Sequence, residues 1–325
     1  MPAPRTPPVS PDVAVTQRAD ALCEMGRPEK AIEMLKPALA TWPESYDLHI
    51  AFGWACGQFE CLDDAEAAYR RAITLRPDRA HAYNVLSRLL IRMYRSPEAL
   101  ECARASIRLA PNQAAAYIAA ADAARLSGDA PAALDYARES VRLSGQGEWR
   151  IGRVLLSYEH WGEAENILRR TQATHPMTSD TPMFLALALI PQGRLEEADY
   201  SLRDALRIWP RYTLAELILQ RVRTWLLQER TLRQSLKAKP SDAPTLANLG
   251  SMLLAQGRLD EAIDALQVAA QPLCLPAHVD QALCVALEHQ AALARGEVPG
   301  SPMLALELEM WGVIDQRRRR RGKRA

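Results

Sequence analysis

One short phrase recurs along this chain of 325 residues, and its spacing leaves few folds open. It reads GRLEEADYSLRDALRIWP at 193–210 and GRLDEAIDALQVAA at 257–270. The alanine after its acidic pair can be followed as Ala31, Ala65, Ala99, Ala133, Ala164, Ala198 and Ala262. The intervals are 34, 34, 34, 31, 34 and 64, and the last divides into 30 and 34 if one copy lacks the alanine. Twelve residues after most of these alanines stands a proline: Pro43, Pro77, Pro111, Pro176 and Pro210. Gly145 and Cys274 take that place after Ala133 and Ala262, and Pro240 closes the copy without the alanine. Self-similarity at such a period is the signature of a repeat architecture.

Each copy makes physical sense as two helices. In the last one, Leu246, Leu249 and Leu253 share a face at helical spacing. Gly257 lies just past that run, where a helix can end in a left-handed residue. A second helix carries Leu259, Ala262, Ile263 and Leu266 on one face, and small residues such as Gly250 and Ala262 let the two backbones approach closely. The closing proline, which lacks an N–H and clashes with the preceding turn, stops the second helix. One such pair cannot bury its own apolar face, but stacked neighbours can, so the expected architecture is a solenoid whose core grows with the number of repeats.

These residues resemble the tetratricopeptide repeat (TPR), a 34-residue helix hairpin marked by a large apolar residue, Leu-Gly, Gly, Ala and Pro. The stretch LANLGSMLLAQGRLDEAIDAL at 246–266 follows the pattern closely. The copy at 83–111 keeps Tyr83, Leu86, Ala99, Ile107 and Pro111, with Ser87 where glycine is usual. The resemblance implies an all-α, right-handed superhelical solenoid of eight hairpins: 12–45, 46–79, 80–113, 114–144, 145–178, 179–212, 213–242 and 243–276. A capping helix over 277–295 closes it. The seventh unit lacks the glycines and the small alanine and is four residues short, so a local distortion is expected there.

The rest of the sequence narrows the function by what it does not contain. No run of 18 apolar residues is present, and the Pro-rich lead at 1–11 has no apolar core of a secretory signal. The six cysteines include no C-x-x-C pair and fall mostly at packing positions, which suits reduced thiols in a cytoplasmic protein. The best metal-like set, Cys274, His278 and Cys284, lacks a fourth ligand and is interrupted by Pro276. No phosphate-binding glycine loop, nucleophile elbow or H-E-x-x-H is found, so neither catalysis nor a metal or other cofactor is expected. Arginine outnumbers lysine by 35 to 5, which with abundant alanine suggests a GC-rich bacterial genome.

In the TPR family the first helices of the hairpins line a concave groove that takes an extended peptide or a partner helix. Carried over, the register puts Trp54, Asn84, Arg88, Arg92, Arg125, Trp149, Arg150, Arg153 and Arg221 on that face. The arginine forks suit an acidic or C-terminal-carboxylate peptide, and the tryptophans offer apolar anchors. The bland alternative is ordinary solvated arginine. The implied function is a non-catalytic adaptor or scaffold, or the helper subunit of an enzyme complex.

One feature is foreign to a bare repeat array. Over 296–325 a linker leads to an amphipathic stretch, with Leu304, Leu308 and Trp311 on one face, and then to Arg317, Arg318, Arg319, Arg320, Arg321, Lys323 and Arg324. Those seven cations leave 33 basic against 39 acidic residues in the rest of the chain, a net of −6. Three readings stay open: a solvated end, a contact for nucleic acid or an anionic membrane surface, or a helix that packs on the solenoid.

Overall fold

The computed structural model describes residues 10–270, 277–295 and 306, and sixteen helices and no strand are found among them. Six hairpins come first: α1 (Pro11–Glu24) with α2 (Pro28–Thr41), α3 (Tyr46–Gln58) with α4 (Leu62–Leu75), and α5 (Ala80–Arg92) with α6 (Ser96–Leu109). Then follow α7 (Ala114–Leu126) with α8 (Ala130–Ser144), α9 (Trp149–Ser157) with α10 (Trp161–Thr174), and α11 (Asp180–Leu189) with α12 (Leu195–Ile208). A single long helix, α13 (Thr213–Ala238), precedes a last hairpin of α14 (Ala243–Ala255) and α15 (Leu259–Ala269), and α16 (Ala277–Ala294) ends the series. The chain divides into two compact units, one up to Gln146 and one from Gly147. The Pro-rich lead through residue 9, Cys274 and the polybasic stretch lie outside the described residues. Of the segment 296–325, Leu306 alone is described; it is helical and buried.

The helix ends follow from the sequence. Trp42, Arg76, Ala110, His175, Trp209 and Lys239 each precede a proline and end a helix at φ between −126° and −143°. A residue before proline is pushed out of the helical region by the ring, so these helices stop where the prolines dictate. α8 has no such proline and ends instead on the left-handed Gly145. Between the two helices of each hairpin one residue sits at positive φ: Gly26, Glu60, Tyr94, Gly128, Glu159, Gly193 and Gly257. The three residues other than glycine accept a conformation that costs roughly 1–2 kcal/mol.

The core is built of small residues against large ones. Ala31, Ala65, Ala99, Ala133, Ala164, Ala198 and Ala262 are all fully buried. A Cβ on Gly250 would lie 2.6 Å from the Leu266 side chain and 3.2 Å from the Ala262 carbonyl, so hairpin closure there requires glycine. In the third hairpin Ser87 fills the equivalent place, donating its hydroxyl to the Ala99 carbonyl at 2.7 Å.

The seventh unit is one helix of 26 residues, about 39 Å long at 1.5 Å per residue. Nothing between Thr213 and Ala238 breaks it, since the stretch has neither glycine nor proline. Its first half buries Leu214, Leu217, Ile218, Val222 and Trp225, and its second half buries only Glu229. Because the helix does not fold back on itself, the position of the missing alanine has no facing helix; Gln228 occupies it and is exposed.

A repeated ionic square ties second helices together. Arg258 meets Glu229 at 2.9 Å and Glu261 at 2.7 Å, while Arg233 meets the same two carboxylates at 2.7 and 3.2 Å. Arg194 and Arg169 hold Glu165 and Glu197 in the same pattern, at 2.7 to 3.3 Å. Arg95 and Arg70 hold Glu66 and Glu98 likewise, at 2.6 to 3.6 Å. The square around Arg258 involves the second half of α13, which thus stands beside α15 as a second helix would.

Candidate functional site

First helices of neighbouring hairpins touch one another in each unit: α1 with α3, α5 with α7, and α9 with α11. The residues expected to bind a partner lie on α3, α5 and α7 in the first unit and on α9 and α13 in the second.

In the first unit a cleft of about 210 Å³ opens between α1 and α3 beside the start of α5. Thr16, Gln17 and Asp20 line one side, and Tyr46, Asp47, Ile50 and His81 the other. Arg79 lies over the Tyr46 ring at 4.9 Å and 3.9 Å from Asp47. Burial raises the Asp20 carboxyl, and Glu24 adds to it. Burial lowers the His81 imidazole, and nearby Arg88 lowers it further.

The expected site residues of this unit divide by environment. Arg88 is exposed, and among the described residues no carboxylate lies in ion-pair range of it. Arg92 is held by its own chain: its guanidinium donates to both oxygens of Glu60 at 3.0 Å and to the Gly57 carbonyl at 3.0 Å. Trp54 is half-buried and packs against the core of the first hairpin. Asn84 and Arg125 are buried, at 7% and 3% exposure, and Arg125 lies 3.8 Å from Asp122.

In the second unit the face is aromatic and cationic. Trp149 stacks on Phe184, with ring centres 5.2 Å apart and planes 10° from parallel. Arg150 lies over the Trp149 ring at 4.5 Å, and Arg153 over Phe184 at 5.6 Å. Both distances are within the range at which a cation is drawn to a ring face. Arg221 lies 5.9 Å from the centre of the buried Trp225 ring. Gly147, at φ +92°, makes room for Arg150, since a Cβ there would overlap its guanidinium.

Sequence reading did not single out Phe184, although it lies 34 residues after Arg150 in the repeat register. It also missed the ionic squares, whose signal is periodic. An Arg four residues before the repeat alanine and a Glu one before it follow a copy with Glu one after and Arg five after.

Other chemistry is sparse. Burial pushes the Cys23 thiol up to about 11 and the Cys56 thiol up to about 12, which keeps both protonated and unreactive. Among the described residues no group of three His, Cys, Asp or Glu side chains could hold a metal ion. No described helix is long and apolar enough to cross a membrane.

A family model described as tetratricopeptide repeat matches residues 16–80, 84–148 and 229–273. No curated protein matches the chain. Among solved structures, a tetratricopeptide repeat protein from Parabacteroides merdae is 12% identical, with 85% of this chain and 98% of that one covered at a TM-score of 0.54. PilF of Pseudomonas aeruginosa is 17% identical, with 66% and 96% covered at a TM-score of 0.51. YrrB, described as a TPR protein with an unusual peptide-binding site, is 19% identical over 58% of this chain and 100% of its own, with a TM-score of 0.41. At these identities the likeness is one of fold.

Proposed function

The chain belongs to the tetratricopeptide repeat family, and from that premise we propose that it binds a peptide or helix of a protein partner along its first-helix face, taking acidic groups with arginine. Arrays of this family are protein–protein interaction modules, and the fold is in general a non-catalytic scaffold. The role assigned here is that of an adaptor.

Arg88 carries the reading. Many arginines of the second helices are engaged in ion pairs, in the squares or within their own helix, and Arg92 is engaged by Glu60. Arg88 projects from the first-helix face into solvent with no carboxylate in range among the described residues. Its planar fork suits a carboxylate in two-point contact. In the second unit Trp149, Arg150 and Arg153 supply the aromatic and cationic surface on which a partner side chain can seat. In the first unit Asn84 and Arg125 are buried, which leaves Arg88 as the exposed cation of α5. The free, buried Cys23 and Cys56 fit a reducing compartment such as a bacterial cytoplasm.

Charge asymmetry favours a second reading, recruitment to a polyanion through Arg317–Arg321, Lys323 and Arg324. Contacts of that kind weaken steeply with salt. Binding of a partner by the full chain, by Arg88→Glu, and by a chain ending at residue 299 separates the two. Loss with Arg88→Glu alone supports the face, and loss with the truncation alone supports the basic end. Retention by both variants refutes both readings.

A further inference from the structure

The last helix reaches back to the first hairpin of its own unit. His289 Nε2 of α16 lies 2.9 Å from Glu159 Oε1, in the turn between α9 and α10, across 130 residues of sequence. The two side chains are only 15% and 13% exposed. The next residue, Gln290, donates to Asp260 at the start of α15 at 3.2 Å. One turn of α16 therefore touches both the fifth hairpin and the last one.

Glu159 occupies a position of unusual backbone demand. Four of the seven hairpin turns have glycine at the left-handed residue, whereas Glu159 adopts φ +63° there with a full side chain. Strain of this sort persists where the surrounding structure uses it. The carboxylate at this turn is what meets His289. Burial raises the Glu159 carboxyl, and the nearby His289 pulls it back only in part.

The two halves of α16 are held differently. Its first half is anchored by apolar packing: Val279 is 1% exposed and sits with Leu246, Ala247, Leu266 and Ala269, flanked by Ala282 and Leu283. The second half has the two polar contacts, with Leu287 and Leu293 each more than a third exposed. Segments with little apolar burial open locally at low cost.

We propose that α16 is a strap that closes the second unit, hinged on the last hairpin and latched to the fifth by Glu159 and His289. Release of the latch frees the second half of α16 and uncovers the α9–α10 turn, while the rest of the unit stays folded. This inference stands apart from what the first-helix face binds.

Amide hydrogen exchange of the full chain tests it, comparing wild type with Glu159→Gly and His289→Ala. Glu159→Gly removes the latch and relaxes the left-handed turn, so α9 and α10 should be at least as protected as before. His289→Ala favours helix, so faster exchange cannot come from lost propensity. In both variants the amides of 287–294 are expected to exchange about tenfold faster or more, with 279–286 changed less than about threefold. Unchanged exchange at 287–294 in both variants overturns the strap. Loss of protection throughout the second unit overturns it as well, since the contact would then be a general prop.

Discussion

Replacing Arg258 with alanine removes the centre of the most buried ionic square. Arg258 is 8% exposed and donates to Glu229 at 2.9 and 3.0 Å, to Glu261 at 2.7 Å through two nitrogens, and to Gln256 at 3.1 Å. Its loss leaves Glu229, itself 9% exposed, with Arg233 at 2.7 Å as its one cation among the described residues. Breaking a buried pair costs about 3–5 kcal/mol. Retention of Arg233 and the half-exposed Glu261 bring the expected cost down to about 2–3 kcal/mol. Native-state amide exchange in α14 and α15 should therefore speed up by about 30- to 150-fold, at a tenfold change per 1.4 kcal/mol.

The equivalent Arg95→Ala removes a side chain that is one-third exposed, where Arg258 is buried, from carboxylates of similar exposure, and should cost distinctly less. A double replacement of Arg258 and Glu229 by methionine should recover much of the loss, because a buried pair exchanged for apolar groups is often neutral. Equal effects of Arg258→Ala and Arg95→Ala, or a double variant no better than the single one, would refute the assignment of energy to burial.

Gly250→Ala should destabilise the last hairpin by about 1–3 kcal/mol, read by thermal denaturation, since its Cβ meets Leu266 and the Ala262 carbonyl. Ala262→Gln should disrupt the fully buried crossing and lower the melting temperature, whereas Gln228→Ala at the matching exposed position of α13 should stay within about 0.5 kcal/mol. The squares also predict acid sensitivity. Burial alone would raise Glu66 and Glu165, but the arginines bonded to them hold both below the usual carboxylate range. A carboxyl depressed in the folded state stabilises above its unfolded value and loses that contribution as pH falls through the folded one. Stability should therefore drop below about pH 4.5, by up to about 1.4 kcal/mol per pH unit for each such group. In urea titrations across that range Glu66→Gln should show a shallower slope, and an unchanged slope would contradict the assignment.

Some of the candidate surface was legible and some was not, for definite reasons. The repeat register located the first-helix face, because spacing reports which side of a helix a residue occupies. It could not distinguish Arg88 from Arg92, four residues apart on α5. That difference depends on Glu60, 32 residues earlier, whose left-handed turn aims its carboxylate at Arg92. Nor could the register show that Arg125 is buried. The Phe184 ring under Trp149 escaped notice because a phenylalanine at helical spacing reads first as core, and this one is both core and the base of a stack.

The sequence by itself determined the hairpins and their ends. Prolines, left-handed turn residues and small residues at helix crossings act through local sterics, which each copy carries within its own 34 residues. At 213–238, where the repeat register predicts a shortened and distorted hairpin, one unbroken helix stands instead, which the absence of glycine and proline permits. Tertiary structure alone decided which charges are spent on the fold and which stay exposed. It alone brought His289 to Glu159 and divided the chain at Gln146. Those outcomes depend on residues far apart in sequence, and no single repeat of 34 residues encodes which distant side chains it will meet.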